Sequence, residues 1–474
     1  MSVDAAQPAT VQVRPDPASK TGACFVAPTV AAPQASPGSF RLSRLLSTDV
    51  LASFPAAAYE QDSLTQDLFG KQRILLAKPS AVRHVMLDNY TNYCRPPASQ
   101  RTLRPLLGDG VLISEGESWR HQRRTLAPLF APRVIPMLGE MALTSALAWV
   151  DQLAKRTDQS LDMLHEVGEL ALEIAGRTMF SIDTGEDGRV LRGHLERFTF
   201  GLAQPHTLDF LLPLWLPSPY DVARRRFHSK MVRVVARIMD RRLAQPPGLH
   251  ARDLMELMAQ ARDPETGAGF SRTQLLDEVT TMLVGGHETT AHGLFWTLYL
   301  LASAPREQER LAAEADAVEM VPGRVEQALK ELVFTRAVAS ESLRLYPPGA
   351  VINRWALNDD CADGIDIPRG AFVVVSPWLM HHHTRFWNEP YAFDPSRFLP
   401  DATPPERFTY IPFGAGPRGC MGGGLAMAEL TLVTAALLRR FHVELNDRHE
   451  PKPISVIVTR PDRPIQFRLT PRRG

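Results

Sequence analysis

A chain of 474 residues with 44% hydrophobic and 22% charged residues has the composition of a folded globular protein and the length to bury a large core. Its formal net charge of +1 excludes recognition of nucleic acid or of an acidic membrane by bulk charge. The four cysteines, Cys24, Cys94, Cys361 and Cys420, include no C-x-x-C spacing and exclude a disulfide framework, so they read as reduced thiols of a cytoplasmic protein.

Residues 1–40 are rich in Pro, Ala and Ser, lack the apolar run of a secretory signal, and are expected to form a mobile arm. The Pro/Gly-broken stretch 95–117 is expected to be a loop. Helical spacing of apolar residues then predicts helices beginning at 118–130 and running through 132–156 and 161–180. The proline-rich apolar connection 203–227 reads either as a loop capping the core or as a lid over a ligand entrance. The longest pattern is 271–303, where Ser271 with Gln274 forms a capping box and apolar residues surround most of the helix, which predicts an interior position. Strands are expected in "FVVVSPWLM" (372–380), "ISVIV" (454–458) and "IQFRL" (465–469). No uninterrupted apolar run of about 18 residues occurs, so no membrane span is expected. The balance is mainly α with small β-sheets.

Some residues sit where they cost stability. Gly285 and Gly286 lie inside the long helix, where each glycine costs about 1 kcal/mol relative to alanine. His287, Glu288, Thr289 and Thr290 follow them on an otherwise apolar helix. The segment reads either as close helix packing with back-bonded threonines, or as a helix laid against a flat ligand with an acid and a hydroxyl placed to handle protons. Glu341 and Arg344 share one helix face before Pro347 and Pro348, with Arg397 as a candidate third member. In "FGAGPRGCMGGG", Phe413 to Gly424, Cys420 stands among the glycines Gly414, Gly416, Gly419, Gly422, Gly423 and Gly424. The strong helical pattern from Gly424 onward puts this cysteine near a helix N-terminus, where backbone N–H groups favour a thiolate. Such a thiolate suits an axial iron ligand, with Arg418 available for an anionic group of the same ligand, and a nucleophilic cysteine is the competing reading. The run His381 to His383, expected on a strand, and the pair His287 and His292 lack metal-ligand spacing.

Together, and in this order, these features resemble the cytochrome P450 family of haem-thiolate monooxygenases. The haem-binding pattern F-x-x-G-x-R-x-C-x-G is matched at Phe413, Gly416, Arg418, Cys420 and Gly422. "GGHETT" is similar to the family's oxygen-activation segment, and Glu341, Arg344 and Arg397 match its E-x-x-R and later arginine, a structural triad. The resemblance runs from Trp119 to the end of the helix after Cys420, and residues 41–474 are read as one domain of that fold.

The resemblance implies haem b between the long central helix and the cysteine loop, with Cys420 as the iron ligand. Phe413, Gly414 and Gly422 would frame the sulfur, while Gly285 and Gly286 would let the central helix approach. Trp119 and Arg123 match W-x-x-x-R and would hold haem propionates, as would Arg418 and Arg354. Glu288 and Thr289 match the acid–alcohol pair that supplies protons. It further implies O2 and an apolar small-molecule substrate for a monomeric enzyme, with electrons from a separate ferredoxin and its reductase. Arg120 and Arg124 are candidates for a basic docking patch. The wording of "GVLISEGESWRHQRR" leans towards fatty-acid hydroxylases, with terpene or aromatic substrates as the alternative. Peroxide-driven chemistry and non-catalytic ligand binding are the competing functions, and retention of Glu288 and Thr289 speaks against both.

Overall fold

The computed structural model describes residues 24–156, 160–181, 190–191, 193–194, 201–245, 253–447 and 449–472. Among the described residues the helices of ten residues or more are α1 (Ser39–Thr48), α2 (Pro97–Leu107), α3 (Gly116–Leu126), α4 (Ile135–Ala154) and α5 (Met163–Phe180). They continue with α6 (Pro219–Leu243), α7 (Arg272–Ser303), α8 (Pro305–Ala317), α9 (Val333–Leu345) and α10 (Gly423–Arg440). Strands Ser63–Leu68, Lys71–Leu76, Phe372–Val375, Ile352–Ala356 and Tyr93–Cys94 lie side by side in one sheet. Lys71–Leu76 and Phe372–Val375 pair in parallel and the other neighbours are antiparallel. A smaller sheet joins Leu161–Asp162, Gln466–Pro471 and Phe441–Leu445. Among the described residues no single helix is long and apolar enough to cross a membrane.

The central helix α7 starts as its capping box predicts, with Gln274 N donating to Ser271 Oγ at 3.3 Å and Ser271 N donating to Gln274 Oε1 at 2.9 Å. Its second half is buried from Ala291 to Leu301. Trp296 stacks on Tyr346 with ring centroids 3.9 Å apart, and Phe295 packs edge-on against Phe467 at the closing sheet. The helix is therefore fixed by core packing at its C-terminal half, which leaves Gly285–Thr290 as a rigidly placed wall further up.

Three local expectations change. Residues 97–107 form α2 rather than loop, because proline at the first helical position loses no needed N–H and Pro105 falls in the last turn. "FVVVSPWLM" is strand only to Val375; Ser376 Oγ then accepts from Leu379 N at 3.1 Å and caps a helix from Pro377 to His382. "ISVIV" is strand only to Ser455, and its hairpin partner begins at Thr459. The arm expected over 1–40 falls outside the described residues up to 23. From Cys24 the chain is held to the body: Ala27 N donates to Tyr391 O and Phe393 N to Phe25 O, both at 2.8 Å.

Glu341, Arg344 and Arg397 come together as expected. Arg344 is wholly buried, donating to Glu341 Oε2 and Oε1 at 2.7 and 2.8 Å and to the carbonyls of His381, Pro390 and Ala392. Arg397 Nε lies 3.6 Å from Glu341 Oε1. The three histidines are each occupied: His381 bonds Arg344 O and accepts from Ile411 N, His382 bonds Trp378 O, and His383 bonds Gln61 O.

The loop after α2 is pinned to α7. Asp109 N donates to Asp277 Oδ2 at 3.0 Å and Val111 N to Glu278 Oε1 at 3.1 Å. At Gly108, where φ is +58°, a Cβ would fall 2.1 Å from the Asp277 carboxylate.

Two predictions follow from these buried charges. Glu341→Ala leaves Arg344 uncompensated and should lower unfolding stability by about 3–5 kcal/mol in urea, whereas Glu341→Ala with Arg344→Met should cost less than the sum of the single changes. Burial pushes the Glu278 carboxyl from its ordinary 4.5 up to about 8. The folded protein then holds a proton that the unfolded chain releases, so this contribution is full below pH 4.5 and is lost as pH rises through about 8. Melting curves across that window should flatten in Glu278→Gln.

Candidate active site

The fold encloses a cavity of about 620 Å³. Gly285, Gly286, Thr289 and Thr290 of α7 line it, as do Phe413, Gly414, Arg418, Cys420 and Gly422 of the cysteine loop and Trp119 and Arg123 of α3. Ala203, Pro205 and Phe210 form part of the wall, so the 203–227 connection borders the cavity. Arg101 of α2 anchors that connection, donating to the carbonyls of Leu212, Pro213 and Leu216.

The cysteine loop is shaped by its backbone. Cys420 N donates to Phe413 O at 2.8 Å, and Arg123 Nη1 holds Gly419 O at 2.8 Å. Gly416 has φ +68°, and a Cβ there would sit 1.8 Å from Met86 O, so no other residue fits. The Cys420 side chain is exposed, but it opens on the cavity rather than on bulk solvent. Burial accordingly pushes its thiol up, against the N–H of Gly422, the Arg123 guanidinium and the N–H of Gly423, which favour the thiolate. Coordination to a cation would remove the remaining cost of ionisation.

Opposite charges are unequal on the adjoining wall. Arg95, Arg354 and Arg418 surround Glu115: Arg95 Nη1 lies 3.3 Å from Glu115 Oε1, and Arg418 Nη2 contacts Glu115 Oε2. Burial and the neighbouring Arg418 and Arg354 charges lower Arg95 to about 9, and burial with Arg418 lowers Arg354 to about 10. Arg418 also stacks its guanidinium 4.2 Å above the Trp119 ring, and its buried Nε has no hydrogen-bond partner among the described residues. One carboxylate among these guanidiniums leaves surplus positive charge, which suits a ligand bearing two carboxylates.

A flat ligand also has room against α7. A Cβ on Gly285 or Gly286 would meet nothing within 4 Å, because both positions face the cavity. The donor set, the open glycine face and the cationic rim all fit haem with its propionates.

The acid–alcohol pair divides. Thr289 lines the cavity, and its Oγ1 donates to Gly285 O at 2.6 Å. Glu288 is buried and does not line it; its Oε2 lies 3.9 Å from His292 Nδ1, and it attracts Arg460. Sequence reasoning missed Arg95 as a member of the cationic rim. It also missed Glu429, a buried α10 carboxyl on the cavity wall that accepts from Thr290 Oγ1 at 3.0 Å and is raised by burial to about 7. A lone acid in the apolar run "GLAMAELTLV" was the available signal. Of the expected docking arginines, Arg124 is tied to Asp263 and Glu265 at 2.8 Å, while Arg120 pairs with Glu117 at the surface.

Comparison with known proteins agrees with this geometry. The family model described as Cytochrome P450 matches residues 59–469. The cyclooctat-9-en-7-ol 5-monooxygenase of Streptomyces melanosporofaciens is 32% identical over 83% of this chain and 84% of its own length. Human cytochrome P450 4F8 is 31% identical over 84% of this chain and 81% of its own, and the cytokinin hydroxylase of Arabidopsis thaliana is 28% identical over 84% and 79%. A thiol presented to a flat, cation-rimmed cavity, within a likeness that spans most of the sequence, places the chain in the cytochrome P450 family of haem-iron oxidoreductases.

Proposed function

We propose that this monooxygenase uses haem b to insert one oxygen atom from O2 into a C–H or C=C bond of an apolar substrate, with electrons from a separate ferredoxin and its reductase. The observation that carries the reading is Cys420 and Thr289 lining one cavity whose rim holds more guanidinium than carboxylate charge.

Cys420 would ligate the iron, its thiolate stabilised by the Gly422 and Gly423 N–H groups and by Arg123. Arg95, Arg354, Arg418 and Arg123, with Trp119, would hold the propionates. Bound haem supplies the reductive activation of O2, and the chain supplies position and protons. Thr289 donates to Gly285 O, which leaves its oxygen lone pairs to accept a hydrogen bond while the hydroxyl exchanges its proton. Glu288 stands behind Thr289 and would deliver protons from the Arg460 side rather than from the cavity. The wall at Ala203, Pro205 and Phe210 would shield the reacting centre from bulk water.

Fatty-acid-like substrates lead, on the likeness of the segments around Trp119 and Gly285 to that branch of the family. A compact terpene is the second reading, favoured by the cyclooctat-9-en-7-ol named for the Streptomyces relative. The docking face for the electron donor would lie on α3, where Arg120 is exposed and pairs with Glu117.

Thr289→Ala should lower product formed per electron consumed by about tenfold or more, with substrate affinity in optical titrations within about twofold of wild type. Unchanged coupling would contradict the proton role. Turnover with hydrogen peroxide alone, at the rate seen with reductase and O2, would instead favour the peroxide-driven alternative.

A further inference from the structure

Glu115 stands at the N-cap of α3, and its carboxylate backs the arginines of the cavity rim. Its Oε1 accepts from Arg95 N at 2.9 Å and from Arg95 Nη1 at 3.3 Å, and its Oε2 accepts from Arg418 Nη2. The preceding carbonyl, Ser114 O, accepts from Arg418 Nη1 at 3.2 Å, so two successive residues grip one guanidinium. The Glu115 side chain is 30% exposed, against 12% for Arg95 and 7% for Arg418. Both arginines line the cavity and Glu115 does not, so the carboxylate holds them from their outer side.

Arg95, Arg354 and Arg418 are cations at neutral pH, because burial lowers Arg95 only to about 9 and Arg354 only to about 10. Arg123 stands apart from them, beside the Cys420 sulfur, where it offsets a thiolate. Arg73, on the strand Lys71–Leu76, donates to Gln66 Oε1 and packs on the Phe54 ring instead. Haem would bring its propionate pair to the rim. Those two carboxylates and Glu115 then match the charges of Arg95, Arg354 and Arg418 one for one. Without the Glu115 charge, the same rim would hold a net positive charge beside the cofactor. Surplus positive charge in a partly buried site favours the iron state that carries less of it, the ferrous one.

We infer that Glu115 is a positioning residue that sets the reduction potential of the haem, by presenting Arg95 and Arg418 to the propionates and by cancelling the third guanidinium charge. This rests on the monooxygenase reading above, and it adds a control on how readily the iron takes its first electron. The role is electrostatic and requires no contact between Glu115 and the substrate or the cofactor.

The test is a spectroelectrochemical titration of the full-length haem-loaded protein without substrate, with Glu115→Gln, Glu115→Asp and Glu115→Ala beside the wild type. Glu115→Gln keeps an acceptor for Arg95 N and loses the charge. It should shift the equilibrium towards ferrous iron by about threefold or more, a rise of about 28 mV for one electron. Glu115→Asp keeps the charge and should move less than half as far. Glu115→Ala loses both charge and acceptor, so its potential should rise as in Glu115→Gln and it should also release haem to apomyoglobin faster. Equal potentials in the wild type and Glu115→Gln overturn the assignment. So does an equal rise in Glu115→Asp and Glu115→Gln, which marks a loss of shape rather than of charge. A chain that takes up no haem, or holds it without the carbon-monoxide band of thiolate ligation, overturns the monooxygenase reading and this assignment with it. A thiolate-type band with equal potentials overturns this assignment alone.

Discussion

A thiolate in a protein interior survives only if donors and positive charge replace the water it gives up. Much of this structure is arranged around that constraint at Cys420. The sulfur opens on a cavity, receives the Gly422 and Gly423 N–H groups, and stands near Arg123, which also grips the loop through Gly419 O. The loop takes that shape because Gly416 turns where Met86 leaves no room for a side chain. Across the cavity the glycine pair of α7 keeps a broad face clear, and the aromatic packing of Trp296 on Tyr346 fixes where that face stands.

Charge is distributed by the same logic. Structural arginines are neutralised where they lie: Arg344 by Glu341 and carbonyls, Arg224 by Asp209 and Asp221. Cavity arginines are left short of carboxylate. Arg95, Arg354 and Arg418 divide Glu115, and Arg73 has none. An enzyme that must receive an anionic cofactor leaves positive charge uncompensated at that position. Elsewhere the buried acids are placed against donors, as Glu278 is against Val111 N and Glu429 against the Thr290 hydroxyl.

The features legible in the sequence were those that cost stability locally. Glycines inside a helix, a cysteine among glycines, and an acid–arginine pair ahead of two prolines announce themselves, because no local propensity explains them. The helix Pro97–Leu107 was hidden by its own prolines: Pro97 stands in the first turn, where a proline is harmless, and Pro105 stands in the last turn, next to the helix end. The same ambiguity ended the strand at Val375, where Ser376 and Pro377 open a helix. Arg73 was silent for another reason. In "KQRILL" it shares a strand face with the exposed Lys71, and only the packing of Phe54 and Gln66 around it makes the position interior. Glu288 stood out as a polar residue on an apolar helix, but a one-dimensional pattern does not say which side of α7 faces the cavity.

Cys420 as the iron ligand is the central claim, and its most direct measurement is the absorption spectrum of the reduced, carbon-monoxide-bound holoprotein beside that of Cys420→His. The wild type should show the strongly red-shifted Soret band that thiolate ligation produces, and the variant should retain haem but lose that shift. A wild-type spectrum of the histidine-ligated kind, or a red-shifted band that persists in the variant, would contradict the account.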